Sequence, residues 1–195
     1  MRRILSAATL VLIVTIVSAA LISCARQTPT PAPVSEADQL ARGKYLVTIL
    51  GCNDCHTPGY FYGAPDETRR LSGSELGWKG PWGVSYPRNL TPEPQTGIGA
   101  WSESDIVTAI RTGKRPDGRV LLPPMPWPDL AALTDEDAAA VAKYLKTLTP
   151  VPHTVPDIVP PGSPVKGSFF TLPPPPAWDA PKTATAGADT TGGRH

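Results

Sequence analysis

Cys52-Asn53-Asp54-Cys55-His56 places two thiols three positions apart and an imidazole directly after the second. This spacing reads as a c-type haem attachment site. Two thiols on a tight turn can each form a thioether to one vinyl group of the same porphyrin. The following imidazole, His56, is then placed to ligate the iron from below. A Cys-x-x-Cys pair could otherwise be a redox disulfide or half a zinc site. Zinc needs about four ligands, and the only other histidines, His153 and His195, lie in a proline-rich tail. A thioredoxin-like setting would require strand patterning around the motif, and no segment alternates as a strand does.

Upstream, Ser35-x-x-Asp38 marks a helix start that runs to about Leu50, with Leu40, Val47 and Leu50 on one side and Gly51 as its stop. The same hydroxyl-x-x-acid signal recurs at Ser102/Asp105 and Thr134/Asp137. It predicts a short helix over 103–112 ending at Gly113, and a longer one over 135–148 closed by Thr149-Pro150. Three main helices, and no strand pattern, give an all-α class.

Between the motif and the second helix, residues 57–100 are punctuated by glycine and proline. A loop of this length inside a domain is expected to be functional, and wrapping a large flat cofactor is the expected role. Tyr60, Phe61, Tyr62, Trp78, Trp82, Tyr86 and Trp101 supply aromatic surface, and Arg69, Arg70 and Arg88 are candidate partners of haem propionates. Each taken singly also fits ordinary packing or a surface charge. Leu121-Leu122-Pro123-Pro124-Met125-Pro126-Trp127 holds the only methionine besides Met1. Prolines on both sides stiffen the backbone, so a thioether there is suited to a second axial iron ligand rather than to core filling. His153 and His195 are the rivals for that role.

With a helix, the attachment motif, a long loop, the Pro-Pro-Met-Pro-Trp segment and a last helix ending Ala142-Lys143-Tyr144-Leu145-Lys146, the chain resembles a class I cytochrome c. Within that class it is similar to single-haem modules related to the cytochrome subunits of bacterial membrane-bound alcohol and aldehyde dehydrogenases. Asn89-Leu90-Thr91-Pro92-Glu93, Thr96-Gly97-Ile98-Gly99 with Trp101, and Arg115-Pro116-Asp117-Gly118-Arg119 carry that likeness, which spans about residues 36–156. It implies one covalently attached haem c held by Cys52 and Cys55, with His56 and Met125 on the iron. It also implies that Gly43 lies close against the last helix near Val141 and Tyr144. Such dehydrogenase subunits commonly carry three haem motifs; this sequence has one.

The ends differ in composition from the centre. Arg2-Arg3 followed by an uncharged run to Ser23 has the form of an export signal, and Leu21-Ile22-Ser23-Cys24 resembles a bacterial lipobox. The expected organisation is a signal peptide (1–23), a linker (24–34), the cytochrome domain (35–150) and a proline-rich extended tail (151–195). Lipidation at Cys24 would anchor the chain; an uncleaved membrane helix is the alternative. Either places the domain on the periplasmic side. Ala25 after the cysteine leans towards the outer membrane by resemblance to Gram-negative sorting rules, and the choice of membrane stays open. The tail contains many of the 25 prolines. Phe169, Phe170, Leu172 and Trp178 either clamp it to the domain or leave it free for a partner.

The formal net charge of +1 becomes −1 once Arg2 and Arg3 leave with a signal, and nothing points to nucleic acid. The expected function is one-electron transfer, not catalysis. Donors would be a dehydrogenase or quinol-oxidising enzyme, and acceptors a terminal oxidase or soluble cytochrome. The alternatives are a non-autonomous subunit of a membrane dehydrogenase and, further off, a haem peroxidase or gas sensor in which Met125 is displaced.

Overall fold

The computed structural model describes residues 34–172. The export signal, Cys24, Trp178 and His195 lie outside them. Helix α1 (Glu36–Ile49) opens at Ser35, whose hydroxyl accepts from the Asp38 N–H. It is followed by the short α2 (Cys52–His56), α3 (Glu103–Thr112), the single turn α4 (Trp127–Leu130) and α5 (Asp135–Lys146). All three hydroxyl-x-x-acid signals mark real helix starts. Only at α3 is the capping box reciprocal, with the Asp105 carboxylate accepting from the Ser102 N–H. At α5 the Thr134 hydroxyl caps as expected, but Asp137 turns outward and takes a bidentate bond from Arg42 of α1 at 2.7 and 2.9 Å.

Helices α1 and α5 cross at Gly43. A Cβ built there would stand 2.0 Å from the Ala140 carbonyl oxygen and 2.7 Å from Tyr144 Cβ, so only glycine lets the two backbones approach this closely. Leu46 and Val47 of α1, Ile106 of α3, and Val141, Ala142 and Leu145 of α5 form the main core with Leu71 and Ile98 from the long loop. Lys146 closes the end of that loop by donating to the carbonyls of Ile98, Gly99 and Trp101.

A small sheet departs from the expectation of no strands. β1 (Gly77–Gly80) pairs antiparallel with β2 (Gly83–Ser85) and parallel with β3 (Phe169–Thr171), in the order β2-β1-β3. Strands of three and four residues, with three glycines at their ends in β1 and β2, are too short to show a period of two. The third strand comes from the tail, so its pairing is invisible to local patterning.

The described part of the tail crosses the domain as a strap. Asn89 Nδ2 donates to the Val151 carbonyl at 2.8 Å, and Val84 exchanges both backbone bonds with Val159. Val155 is buried with Val84 and Tyr86 in a second, smaller core. No helix among the described residues is long and apolar enough to cross a membrane.

Candidate functional site

Between the helices, the long loop, the proline loop and the strap lies a cavity of about 650 Å³. That is within the range of about 300–1,000 Å³ usual for small-molecule and cofactor pockets. Its wall includes Cys52, Cys55, His56 and Met125, all four site residues expected from sequence.

Gly51, in the left-handed conformation at φ 66°, ends α1 and starts α2. Helix α2 is then fastened from behind. The Thr57 hydroxyl donates to Asn53 Oδ1 at 2.6 Å and accepts from the Leu71 N–H at 3.0 Å, while the Gly73 N–H holds the His56 carbonyl at 2.8 Å. Leu71 is fully buried at φ 60°, a conformation that costs a leucine roughly 1–2 kcal/mol. Its N–H and carbonyl are both bonded, to Thr57 and Leu90, so the surroundings impose that geometry. Nothing in the sequence signalled Asn53, Thr57 or Leu71.

His56 is buried, with Nδ1 2.6 Å from the Arg88 carbonyl oxygen. A carbonyl only accepts, so Nδ1 carries the proton and Nε2 keeps its lone pair. Burial pushes the His56 pKa down, against the raising effect of that bond, and the ring stays neutral. This is the tautomer and charge state of a metal-ligating histidine oriented by a backbone acceptor. Burial likewise raises both thiols, Cys52 to about 11, so neither is a thiolate at neutral pH.

Met125 is half-buried in the cavity wall. Its loop is held by a bond from the Ser85 hydroxyl to the Pro123 carbonyl at 2.5 Å and by the Met125 N–H on the Leu122 carbonyl. Trp127 packs under Gly113, where a Cβ would come within 2.7 Å of the indole. His153 does not line the cavity; it faces Ser72 and Glu75.

Of the expected aromatics, Phe61, Trp78, Tyr86 and Trp101 line the cavity. Tyr60, Tyr62 and Trp82 do not. Among the arginines, Arg69 and Arg70 are taken up outside it by Asp66, Glu75 and Glu67. Arg88 does reach the wall, joined by Arg115 and Arg119, which only the family likeness singles out in the sequence; Arg88 pairs there with Asp157, and Arg115 and Arg119 share Asp117. Arg115 lies in a turn closed by its own backbone bonds to Arg119 and Gly118, with its guanidinium 5.6 Å from the Trp101 ring centre. Its buried Nε has no hydrogen-bond partner. Burial and then the charge of Arg119 pull its pKa below the usual guanidinium value.

An apolar slot with two neutral thiols, an oriented imidazole and a cationic edge carrying an orphaned N–H donor fits a porphyrin with carboxylate side chains. Among the described residues, no group of three or more His, Cys, Asp or Glu could hold a metal ion.

This geometry defines a covalent haem domain. The family described as cytochrome c matches residues 40–149, and the chain belongs to it. Its cofactor is therefore haem c. Similar curated proteins include the cytochrome c subunit of a quinone alcohol dehydrogenase from Gluconobacter oxydans, 36% identical over 65% of this chain and 26% of that protein. The fructose dehydrogenase cytochrome subunit of Gluconobacter japonicus is 36% identical over 57% of this chain and 22% of that protein. A diheme c-type cytochrome of Cereibacter sphaeroides is 30% identical over 57% of this chain and 37% of that protein. The chain thus spans about a quarter of the length of the dehydrogenase subunits it matches. They are cytochrome rather than catalytic subunits.

Proposed function

We propose that the chain is a membrane-anchored periplasmic electron carrier whose haem iron is ligated by His56 and Met125. The observation that carries this is the His56 ring, neutral and fixed by Arg88 with Nε2 free, in the same cavity wall as the only thioether among the described residues. Histidine and methionine together saturate iron and favour a raised potential. A closed iron offers substrate no coordination site and changes little between oxidation states, which suits one-electron transfer. Haem supplies the redox couple; the protein supplies the ligands, a dry slot and a cationic edge for the carboxylates.

Electrons would come from a dehydrogenase or quinol-oxidising enzyme and pass to an oxidase or soluble cytochrome through a small transient interface. Cys24 would carry the lipid anchor. Incorporation of labelled fatty acid by the parent and its loss in Cys24→Ala is the expected result; equal labelling of both would sink the anchor.

The ligand reading is tested by the visible spectrum of the reduced protein with carbon monoxide, beside Met125→Ala. Carbon monoxide should leave the parent unchanged and bind the variant. A parent that binds it readily has an open iron, and the peroxidase or sensor reading then replaces this one. The relatives' status as subunits of larger assemblies favours a second reading, a non-autonomous dehydrogenase subunit. Co-purification of a dehydrogenase from detergent-solubilised membranes would select it.

A further inference from the structure

Large apolar side chains are left exposed in one place above all. Ten are exposed among the described residues, and six of them come from two short segments: Tyr60, Phe61 and Tyr62 of the long loop, and Phe169, Phe170 and Leu172 of the tail. Contacts between rings join the two segments. Phe61 meets Tyr60, Trp78 and Phe170 edge to face, with ring centres 6.2, 5.5 and 5.5 Å apart, and Trp78 lies 5.1 Å from Phe170. A concentration of this kind marks a surface that meets another apolar phase.

The arrangement fits a lipid surface better than a flat protein face. β3 is an edge strand, and its successive residues point to opposite sides of the sheet. Phe170 lies beside Trp78 on one side; on the other, Lys79 Nζ stands 5.3 Å from the Phe169 ring centre. Both phenylalanines are exposed, Phe169 at 37% and Phe170 at 42%. A flat partner would cover one side of the strand, whereas a headgroup layer several ångströms deep surrounds both. Tyrosine rings with polar tips suit the same layer. No strand pairs with the outer edge of β3, so it belongs at headgroup level, where water still reaches the backbone, and not in hydrocarbon. Charge points the same way. Residues 77–86 and 158–172, which supply the sheet, contain Lys79 and Lys166 and no acidic residue. The acids just outside them, Glu75 and Asp157, are paired with Arg69 and Arg88. At the far end of the cluster, Asp54 and Arg70 near Tyr60 offset one another. The remaining positive charge complements anionic phospholipid.

We infer that this aromatic cluster docks on the bilayer, seating residues 60–62 and 169–172 among anionic headgroups. The inference rests on the membrane-anchored reading above. The chain from Cys24 to Ser35 reaches at most about 40 Å fully extended. A lipid at Cys24 therefore keeps the domain beside the membrane, and the domain's own surface decides which face turns towards it. Neither contact needs to be strong, because two weak signals together hold where one does not. The consequence concerns the haem slot, since Phe61 and Trp78 also line it. Docking through them turns that wall of the slot to the bilayer, which favours an electron donor held in the membrane over one in solution.

The test is photolabelling of the haem-loaded full chain on vesicles of phosphatidylcholine and phosphatidylglycerol that carry a diazirine at headgroup level, with labelled peptides identified by mass spectrometry. Peptides holding 60–62 and 169–172 should take up label well above the exposed residues 102–104 at the start of α3, the reference surface. Lys79→Gln with Lys166→Gln keeps the rings and should lower that excess on the order of tenfold. Vesicles of phosphatidylcholine alone should do the same to the parent. Phe169→Ser with Phe170→Ser should abolish the excess and leave the haem absorption spectrum unchanged. Label confined to the region of Cys24, or spread evenly over the domain, overturns the inference while the anchor stands, and leaves the aromatic surface to a protein partner. An excess that survives both pairs of substitutions overturns it too. Label on the two segments without fatty acid on Cys24 sinks the anchor and upholds the inference.

Discussion

Arg115 and His56 show how one backbone contact, or the lack of one, sets the chemistry of a side chain. His56 has its acceptor and is neutral; Arg115 Nε is buried with none. An unsatisfied buried donor costs about 1–3 kcal/mol. Arg115→Met should lower the midpoint potential of the haem-loaded protein, because a cation at the cavity edge is gone. An unchanged midpoint potential would show that Arg115 serves packing instead. Two other carboxyls carry a pH signature. Hydrogen bonds from Thr68 and Arg69 hold Asp66 near a pKa of about 2, and Arg119 does the same for Asp117. A carboxyl depressed in the folded state stabilises fully above its ordinary value of 3.8 and loses that contribution as pH falls towards 2. Asp66→Asn and Asp117→Asn should lower stability modestly at neutral pH and converge with the parent below about pH 2, measured by acid unfolding.

The α1–α5 crossing is where an element depends on one missing atom. Gly43→Ala would gain about 1 kcal/mol in helix propensity. It would also drive a methyl into the Ala140 carbonyl, and backbone cannot yield as a side-chain tip can. The net expectation is a destabilisation of about 1–3 kcal/mol in urea, with an unchanged variant refuting the close crossing. At the α3 start, Ser102→Ala removes a reciprocal cap and should cost about 1 kcal/mol. At the other end of α3, the contact of Arg111 with Asp135 is largely exposed, and its removal should be nearly silent by the same measurement.

At the scale of the whole domain, both cores line the haem slot, Ile106, Val141 and Leu145 from the first and Tyr86 and Val155 from the second, so a bound haem would bridge them. Haem-free protein, prepared with Cys52→Ala and Cys55→Ala, should keep most of its far-UV circular dichroism but lose near-UV signal and bind a hydrophobic dye. Retained near-UV signal would mean that the protein shell packs without its cofactor. Ending the chain after Pro150 removes Val155 from the second core and Thr154 and Ile158 from the cavity wall. The loaded truncate should melt several degrees lower, consistent with a loss of a few kcal/mol for one buried aliphatic side chain and its neighbours.

Local chemistry determined much of this protein without any structure. The attachment motif needs only five consecutive residues, helix starts need a hydroxyl and an acid three positions apart, and a methionine between prolines stands out in one short loop. These signals are short-range, and the chain displays them directly. Tertiary structure decided the rest because the partners are distant in sequence. Arg88 orients His56 from 32 positions away through a backbone carbonyl, which any residue could have supplied. Arg115 reached the cavity edge while Arg69 and Arg70 lie outside it, although all three pair with a carboxylate close in sequence, so the choice is set by turn geometry rather than residue type. The strap became part of the haem wall, and His153 a half-buried clasp, because a proline-rich segment with little pattern of its own found its hydrogen-bond partners on the loop it crosses.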